Sequence, residues 1–556
     1  MGIGALKFRS DSEKLAKMLA SEILNRRNLL QKYRDKKGLE EAIENGTVLG
    51  PLTLNADENG EAVFRIQAYY TRYRPGDIVT LNHFDGSGLK PVDDGFTVRS
   101  VDFVGLGQIE IRLGGRMLSA APGEYYLSAS TNENVDWILR QRILNAGKNE
   151  DQITRKILQI APVDAALLTG LNELQLRGIE SVLSDNFNGA IQGPPGTGKT
   201  QVLSALIGAA IASGLRVGLT AYTHTAVDNA LKRVMAQFPG LQCIRVGSGE
   251  KVSPEIGALG AEIVPSFSEV KIDQDFTLIA ATTHSWALSS QAPWVDVLLV
   301  DEAGQVPSFM LPCLNLKANS IVCLGDHKQL PPILSSVKPG AIVDLFSEVI
   351  GQVSSVTMLE EQYRMNERLQ EWSSHAYYGG RLRAALKNRD RDVLATSDQF
   401  RNADRVSLVC YSGASHERRQ AELVLKEIEK ARAAGLDLSE IGIITPHRNQ
   451  SSAINQLIQE RLGINAIKDL SADTVERYQG QEREFIVLGL STMRDLPSFE
   501  SSNFVTNPNR LNVAATRARS RLSVISNMSP DQAGIDKHAA EFLGWAGSKT
   551  FSRKTA

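Results

Sequence analysis

Apolar and polar positions along this chain fall into three textures. From Ser10 to about Lys37, Leu15, Met18, Leu19, Ile23 and Leu30 recur at helical spacing. Ser10 and Glu13 fit a capping box, in which side chains satisfy the free N–H groups of a helix start, so this stretch predicts one long helix. From about Val48 to Ser130 the period shortens to two. In QIEIRL, Ile109, Ile111 and Leu113 alternate with Glu110 and Arg112, and DIVTLNHF and GFTVRSVDFV behave alike between Gly, Asp and Pro turns. About five such strands predict a small antiparallel barrel. A helical run from Asn132 to Asn145 follows, so two helices flank the barrel like a stalk holding an accessory module. The plainer reading is a regular β domain with no binding role.

From about Leu171 the texture changes again. GAIQG, RVGLTAY, TLIAAT, VDVLLVD and SIVCLGD, then SLVCYS, IGIITP, FIVLGLST and LSVISN, are short apolar runs bounded by polar turns. Strands buried on both faces look like this, and the helical stretches between them fit parallel crossovers. There are enough strands for two α/β sheets, divided between Ser347 and Met358.

Composition narrows this picture. A chain of 556 residues holds about three or four domains. Lys+Arg 61 against Asp+Glu 63 argues against a surface that grips nucleic acid indiscriminately, yet one groove can still be basic. No apolar run is long enough for a membrane span, and the N-terminus lacks the apolar core of a signal peptide, so an intracellular setting, cytoplasmic or otherwise, and no membrane partner are expected. Cys243, Cys313, Cys323 and Cys410 form no CxxC pair. They read as packing residues in a reducing interior, not as a zinc or iron–sulfur site.

The first chemistry lies in GPPGTGKT: Gly193, Pro194, Pro195, Gly196, Thr197, Gly198, Lys199 and Thr200. It follows an apolar strand and opens the helix-compatible run TQVLSALIGAAIA, the context a phosphate-cradling loop requires. Its glycines turn backbone N–H groups toward phosphate oxygens at a helix start. Lys199 then faces the terminal phosphates of ATP, and the Thr200 hydroxyl suits Mg2+. The strand VDVLLV ends in Asp301 and Glu302, an acid for Mg2+ and an acid to orient or deprotonate water. Downstream, Gln329 in GDHKQLPP can reach a γ-phosphate, and Arg364, Arg517 and Arg519 lie beyond the expected domain break. Arginines from a second domain reach the γ-phosphate only on closure, which ties closure to chemistry.

The ordered set LNELQLRGI, GPPGTGKT, AYTHTAVDNAL, DEAGQ, GDHKQLPP, QYRM, IGIITPHRNQ, VERYQGQERE and NVAATRAR resembles superfamily 1B helicases, in particular the up-frameshift helicase branch of nonsense-mediated decay and its DNA-directed relatives. The resemblance covers about Leu171 to Asn527. It implies an α/β fold of two tandem RecA-like P-loop domains with parallel sheets, plus an N-terminal helical stalk carrying a small β-barrel. Expected boundaries are a stalk helix over 1–47, the barrel over 48–131, a second stalk helix and linker over 132–165, domain 1 over 166–350, domain 2 over 351–545 and a basic tail over 546–556.

Carried over by position, the resemblance implies that Gln175 reads adenine and Tyr363 stacks on it. Arg364 and Arg517 would be fingers, and Glu482 would sit near the ribose or γ-phosphate. Thr223, His224, Asn229, Thr282, Thr283, Thr445, His447 and Thr474 would meet the nucleic acid, although each also reads as a loop cap or turn. Hydroxyl, amide and backbone donors at strand ends suit phosphate and sugar contacts. The implied activity is ATP- and Mg2+-dependent translocation on single-stranded DNA or RNA and unwinding of tailed duplexes, 5′ to 3′, by a monomer. The barrel either braces a duplex or recruits a protein partner.

Four departures from the family pattern are read: no Cys/His-rich stretch is expected ahead of the barrel, the segment between AYTHTAVDN and AATTHS is short, so any insertion there is small, no nuclease constellation of paired acids and lysine is evident, and AYTHT carries Tyr222 and His224 where small residues are usual. Those two either stack on a base or pack. Two other classes fit the same motifs: a nucleic-acid-stimulated ATPase clamp or remodelling factor that does not unwind, and a ring-forming AAA+ ATPase with its finger in a neighbouring subunit.

Overall fold

The structure, a computed structural model, describes residues 11–31, 36–44, 47–58, 61–84, 89–114, 124–129, 133–149, 155–271, 276–334, 343–353, 356–412, 418–492, 505–532 and 535–548. It divides into two compact units, one of residues 1–28 and 132–362, the other of 29–131 and 363–556.

In the first unit, the helix over Ser12–Gln31 turns Leu15, Ala16, Leu19 and Ile23 inward. These meet Leu139 and Ile143 of the helix Glu133–Asn149, in one core with Cys313 and Leu314. The expected long N-terminal helix thus ends at Gln31, and a separate helix, Lys36–Glu44, follows in the second unit. Ser10 of the expected capping box lies outside the described residues, as does most of the expected basic tail.

The parallel sheet of the first unit has eight strands: β7 (Gly189–Gln192), β8 (Val217–Ala221), β9 (Cys243–Val246), β10 (Glu262–Val264), β11 (Leu278–Thr282), β12 (Val295–Val300), β13 (Ala318–Gly325) and β14 (Thr357–Met358). Their order is β10-β9-β11-β8-β12-β13-β7-β14. Every residue of β8, β11 and β13 is buried, which is why those strands read as continuous apolar runs. The short strands β9, β10 and β14 carry no such run and escape a reading by pattern. β14 pairs in parallel with β7, Thr357 opposite Ile191. That pairing carries the first unit past the expected division after residue 350, and the unit closes at Gln362.

The second unit holds the barrel: β1 (Val48–Glu58), β2 (Glu61–Gln67), β3 (Ile78–Phe84), β4 (Leu89–Gly105), β5 (Gln108–Gly114) and β6 (Tyr125–Ala129). The ring runs β1-β2-β5-β4-β3-β6 and closes on itself. It therefore has six strands where the pattern predicts about five; β6 pairs with both β1 and β3 and removes the open edge that five would leave. Phe64, Leu81, Ile109, Ile111, Leu113 and Leu127 fill it.

The same unit contains a second parallel sheet. After two dipeptide strands, β15 (Glu361–Gln362, closing the first unit) and β16 (Arg383–Ala384), come β17 (Val406–Cys410), β18 (Ile441–Thr445), β19 (Ala472–Thr474), β20 (Arg483–Gly489) and β21 (Ala518–Ser526). Their order is β17-β21-β20-β18-β19. The barrel is fastened to this sheet's domain. Tyr70 donates to Asp473 at 3.0 Å and Arg74 to the same carboxylate at 2.5 Å. Arg477 donates to the Thr71 carbonyl at 2.8 Å, and the Gly107 N–H to Gln459 at 3.0 Å. Among the described residues no helix is long and apolar enough to cross a membrane.

Candidate functional site

In a parallel sheet the loops that carry chemistry gather at the carboxyl edge of the strands. In the first unit, β7 delivers Gly193–Thr200 there, β12 delivers Asp301 and Glu302, and β13 delivers Asp326 and Gln329. β13 lies between β7 and β12, so its loop touches both neighbours. Gln192 donates to Asp326 at 3.0 Å, and the Gly193 N–H donates to the Gly325 carbonyl at 2.9 Å. Gln329 donates to the other Asp326 oxygen at 3.1 Å. On the opposite side a Cβ at Gly304 would lie 2.8 Å from the Asp326 carbonyl oxygen, so DEAGQ and GDHKQ touch backbone to backbone.

The phosphate loop is equally tight. Gly198 has φ +78° and caps the helix Lys199–Ala212, and a Cβ on it would stand 2.6 Å from the Gln175 amide nitrogen. That amide donates to the Thr197 carbonyl at 2.9 Å, while its oxygen accepts from the Asn172 N–H at 2.9 Å. Gln175 is fully buried, braced between the helix start it caps and the loop.

Lys199 is buried, its ammonium 2.6 Å from Glu302 and 3.5 Å from Asp301. Burial alone would lower its pKa, but Glu302 and Asp301, with Asp326 behind them, outweigh it and hold the ammonium above its usual value. Burial pushes Asp301 up, against the pull of Lys199. Glu302 adopts φ +50°, a conformation that costs a residue with a side chain about 1–2 kcal/mol. Its carboxylate also accepts from Gln305 at 3.2 Å, a positioning contact hidden inside the DEAGQ motif.

In the second unit Arg364 donates to Glu482 and, at 3.1 Å, to the Thr516 carbonyl. Burial would raise the Glu482 carboxyl, but Arg364, then Arg519 and Arg517, hold it below the usual range. Arg517 is buried at 2% exposure and donates to the Val513 carbonyl at 2.9 Å and the Gln481 carbonyl at 3.4 Å. Glu482, assigned by resemblance to the ribose or γ-phosphate, is here the carboxylate that holds Arg364. The Tyr363 ring is covered by Lys387, whose ammonium lies 4.8 Å from the ring centre.

The residues expected to meet nucleic acid also sit at carboxyl edges. In the first unit Thr223, exposed, caps the helix His224–Gln237, and Asn229 is exposed on that helix. Thr282 ends β11 and caps the next helix. In the second unit Thr445 ends β18 and Thr474 ends β19. The other four threonines are buried, Thr283 and Thr445 fully and Thr282 and Thr474 at 5% and 7% exposure, and Thr445 donates to the His447 carbonyl at 3.0 Å. His224 is half-buried, its Nδ1 3.1 Å from the guanidinium of the fully buried Arg245, which is paired with Asp228 at 2.7 Å. Burial first and Arg245 second bring its pKa down to about 4. Since arginine only donates, Nδ1 accepts, and the ring's N–H is at Nε2. The Tyr222 ring packs on His284 at 5.3 Å between centroids.

The first unit is thus a RecA-like P-loop domain, with cradle, acid pair and polar sensor on one edge. Two family models, each described as an AAA domain, match residues 170–399 and 343–529. The chain is 29% identical over 390 residues to the DNA replication ATP-dependent helicase/nuclease JHS1 of Arabidopsis thaliana, covering 64% of this chain and 28% of that protein. It is 28% identical over 436 residues to the Regulator of nonsense transcripts 1 homolog of Neurospora crassa, covering 66% of this chain and 39% of that one. Among solved structures, the arterivirus nonstructural protein 10 helicase in complex with DNA matches at a TM-score of 0.43 and 13% identity, over 90% of this chain and 81% of that chain. Both sets of relatives are superfamily 1B helicases, and this chain is similar to them across the AAA-domain matches. It spans well under half the length of the curated relatives it matches.

Proposed function

We propose that this chain is an ATP-dependent helicase or translocase on single-stranded DNA or RNA, moving 5′ to 3′ as a monomer. The observation that carries the reading is Lys199 set between Glu302 and Asp301 at the edge that also presents the phosphate loop. A buried ammonium on two carboxylates is matched in charge to an incoming triphosphate, which takes over the cation and releases the acids for their own work.

The donor set fits Mg2+: Thr200 and Asp301 would hold it, and when bound it neutralises charge on the β- and γ-phosphates. Gly193, Pro194, Pro195, Gly196, Thr197 and Gly198 wrap the phosphates, with Gln175 bracing the loop and reading adenine. Glu302, freed from Lys199, orients and deprotonates water. Gln329, anchored on Asp326, senses the γ-phosphate. Tyr363 stacks on the base. Arg364, handed over from Glu482, and Arg517 supply the finger charges on closure. Thr223, His224, Asn229, Thr282 and Thr474 grip the strand, with His447 and the backbone at Thr283 and Thr445.

ATP hydrolysis measured with and without DNA or RNA single strands, followed by displacement on 5′- and 3′-tailed duplexes, tests this. Stimulation by strands with displacement of the 5′-tailed duplex alone is expected. Hydrolysis without displacement would instead make the chain a clamp or remodelling ATPase, and hydrolysis indifferent to strands would remove the motor reading.

A further inference from the structure

Glu482 lies just before β20 and Glu484 within it. Along β20 and β21, Arg483 stands opposite Ala518 and then Phe485 opposite Arg521, so β21 spends one extra residue between the two pairs. A bulge of this kind re-aims side chains. Arg519 and Ser520 are neighbours that a regular strand would send to opposite faces. Here both reach Glu484: the Ser520 hydroxyl donates to it at 2.6 Å, and the Arg519 Nε lies 3.4 Å away.

Glu484 is buried and well supplied without Arg519. Arg391 donates to both of its oxygens, at 3.1 Å to the one that Ser520 also serves. The Arg519 Nε is itself buried and makes no hydrogen bond among the described residues. It also stands 3.7 Å from Oε1 of the half-buried Glu482, whose Oε2 accepts from Arg364. Arg517, the third cation acting on Glu482, directs its Nε and one terminal nitrogen to the Val513 and Gln481 carbonyls. Two guanidiniums therefore address the two oxygens of one carboxylate, Arg364 in a hydrogen bond and Arg519 just beyond that range. When one partner of a partly buried ion pair leaves, the anion that stays behind opposes its departure.

We propose that Arg519 is a positioning residue: it takes over the Glu482 carboxylate when Arg364 is drawn to a γ-phosphate, and so sets how readily that arginine is released. A small shift of its Nε toward Oε1 closes the gap, and Arg391 and Ser520 keep Glu484 satisfied while it moves. The bulge is what places one guanidinium within reach of both acids.

The proposal rests on the reading of Arg364 as a finger, and the experiment separates the two. Phosphate release by the full chain, with saturating oligothymidylate, gives kcat and the KM for ATP. Arg519→Gln should lower kcat about 5- to 20-fold with KM little changed, because the lost contact counts only once Arg364 has moved. In a Glu482→Gln background no anion is left behind, and the same substitution should change kcat by less than about twofold. Arg519→Lys keeps a cation within reach and should retain most of the rate. Thermal midpoints check folding, and Arg519→Met replaces the glutamine variant if that one melts below the assay temperature. A loss of equal size in both backgrounds would mean that Arg519 serves only the fold around Glu484, and no loss in the natural chain would mean that Arg364 leaves unaided; either result overturns the proposal while the finger reading stands. If Arg364→Ala, run alongside, leaves hydrolysis unchanged, the finger reading falls and this proposal with it.

Discussion

The two units carry their candidate chemistry on different materials. In the first the working surface is mostly backbone: a glycine-rich loop, a helix start, and two loops in main-chain contact at Gly304 and Asp326. In the second it is side chain, with Arg364, Arg517 and Arg519 arranged around Glu482. A backbone cradle needs glycine at fixed spacing and so leaves a short, readable signature. A side-chain network draws on residues from distant segments, and no single one of them is distinctive in sequence.

The sharpest break in this comparison comes from deleting one cation in each unit. Lys199→Ala should abolish hydrolysis, since it removes the phosphate counter-charge that no backbone group replaces; retained turnover would refute the cradle assignment. Arg364→Ala should cut strand-stimulated hydrolysis by about 10³- to 10⁵-fold while leaving nucleotide affinity largely intact. Equal loss of affinity would mean that Arg364 binds in the ground state and is no finger. Glu302→Gln sharpens the picture of the first unit: nucleotide binding persists and hydrolysis stops, as filter binding and phosphate release would report.

This difference also explains what can be read from the chain. The loop Gly193–Thr200, the acids Asp301 and Glu302 and the parallel strands follow from local pattern, because buried strands must be apolar and phosphate loops must be glycine-rich. The third strand of the second sheet, Ala472–Thr474, is three residues long and ends in polar side chains, so pattern misses it. The bond from Tyr70 to Asp473 and the pairing of Arg245 with Asp228 are likewise invisible, since partners 403 or 17 residues apart carry no periodic mark. Thr283 and Thr445 sit where the motifs put them along the chain, but which way a hydroxyl points at a strand end is decided by packing.

Stability measurements carry the comparison further. Arg517→Ala removes a buried guanidinium from the Val513 and Gln481 carbonyls, and should cost about 1–3 kcal/mol besides its effect on turnover. A variant with normal thermal midpoint and lost activity would show that the fold does not need this arginine. Gly304→Ala should cost about 1–3 kcal/mol by forcing DEAGQ and GDHKQ apart, with a fall in both midpoint and hydrolysis.

The smallest effect is on pH. His224, lowered by burial and then Arg245, and His447, lowered by burial and then Arg510, each titrate at about 4 when folded, against 6.5 ordinarily. The unfolded chain therefore binds more protons across that interval, and stability declines as pH falls from about 6.5 toward 4. Replacing both histidines by glutamine should flatten that part of the midpoint–pH curve, and an unchanged curve would discard the assignment.

The carboxylate of Asp473 has a practical consequence for anyone trimming this protein. Cutting out residues 48–129 to obtain a minimal two-sheet core would strip Tyr70 and Arg74 from that acid, leaving Arg477 and the Thr474 N–H as its partners among the described residues. The wound would open one residue from Thr474, at the rim where a strand would lie. A shortened version should therefore carry Asp473→Asn from the outset, so that any fall in activity is traced to the missing barrel and not to an anion that has lost two of its donors.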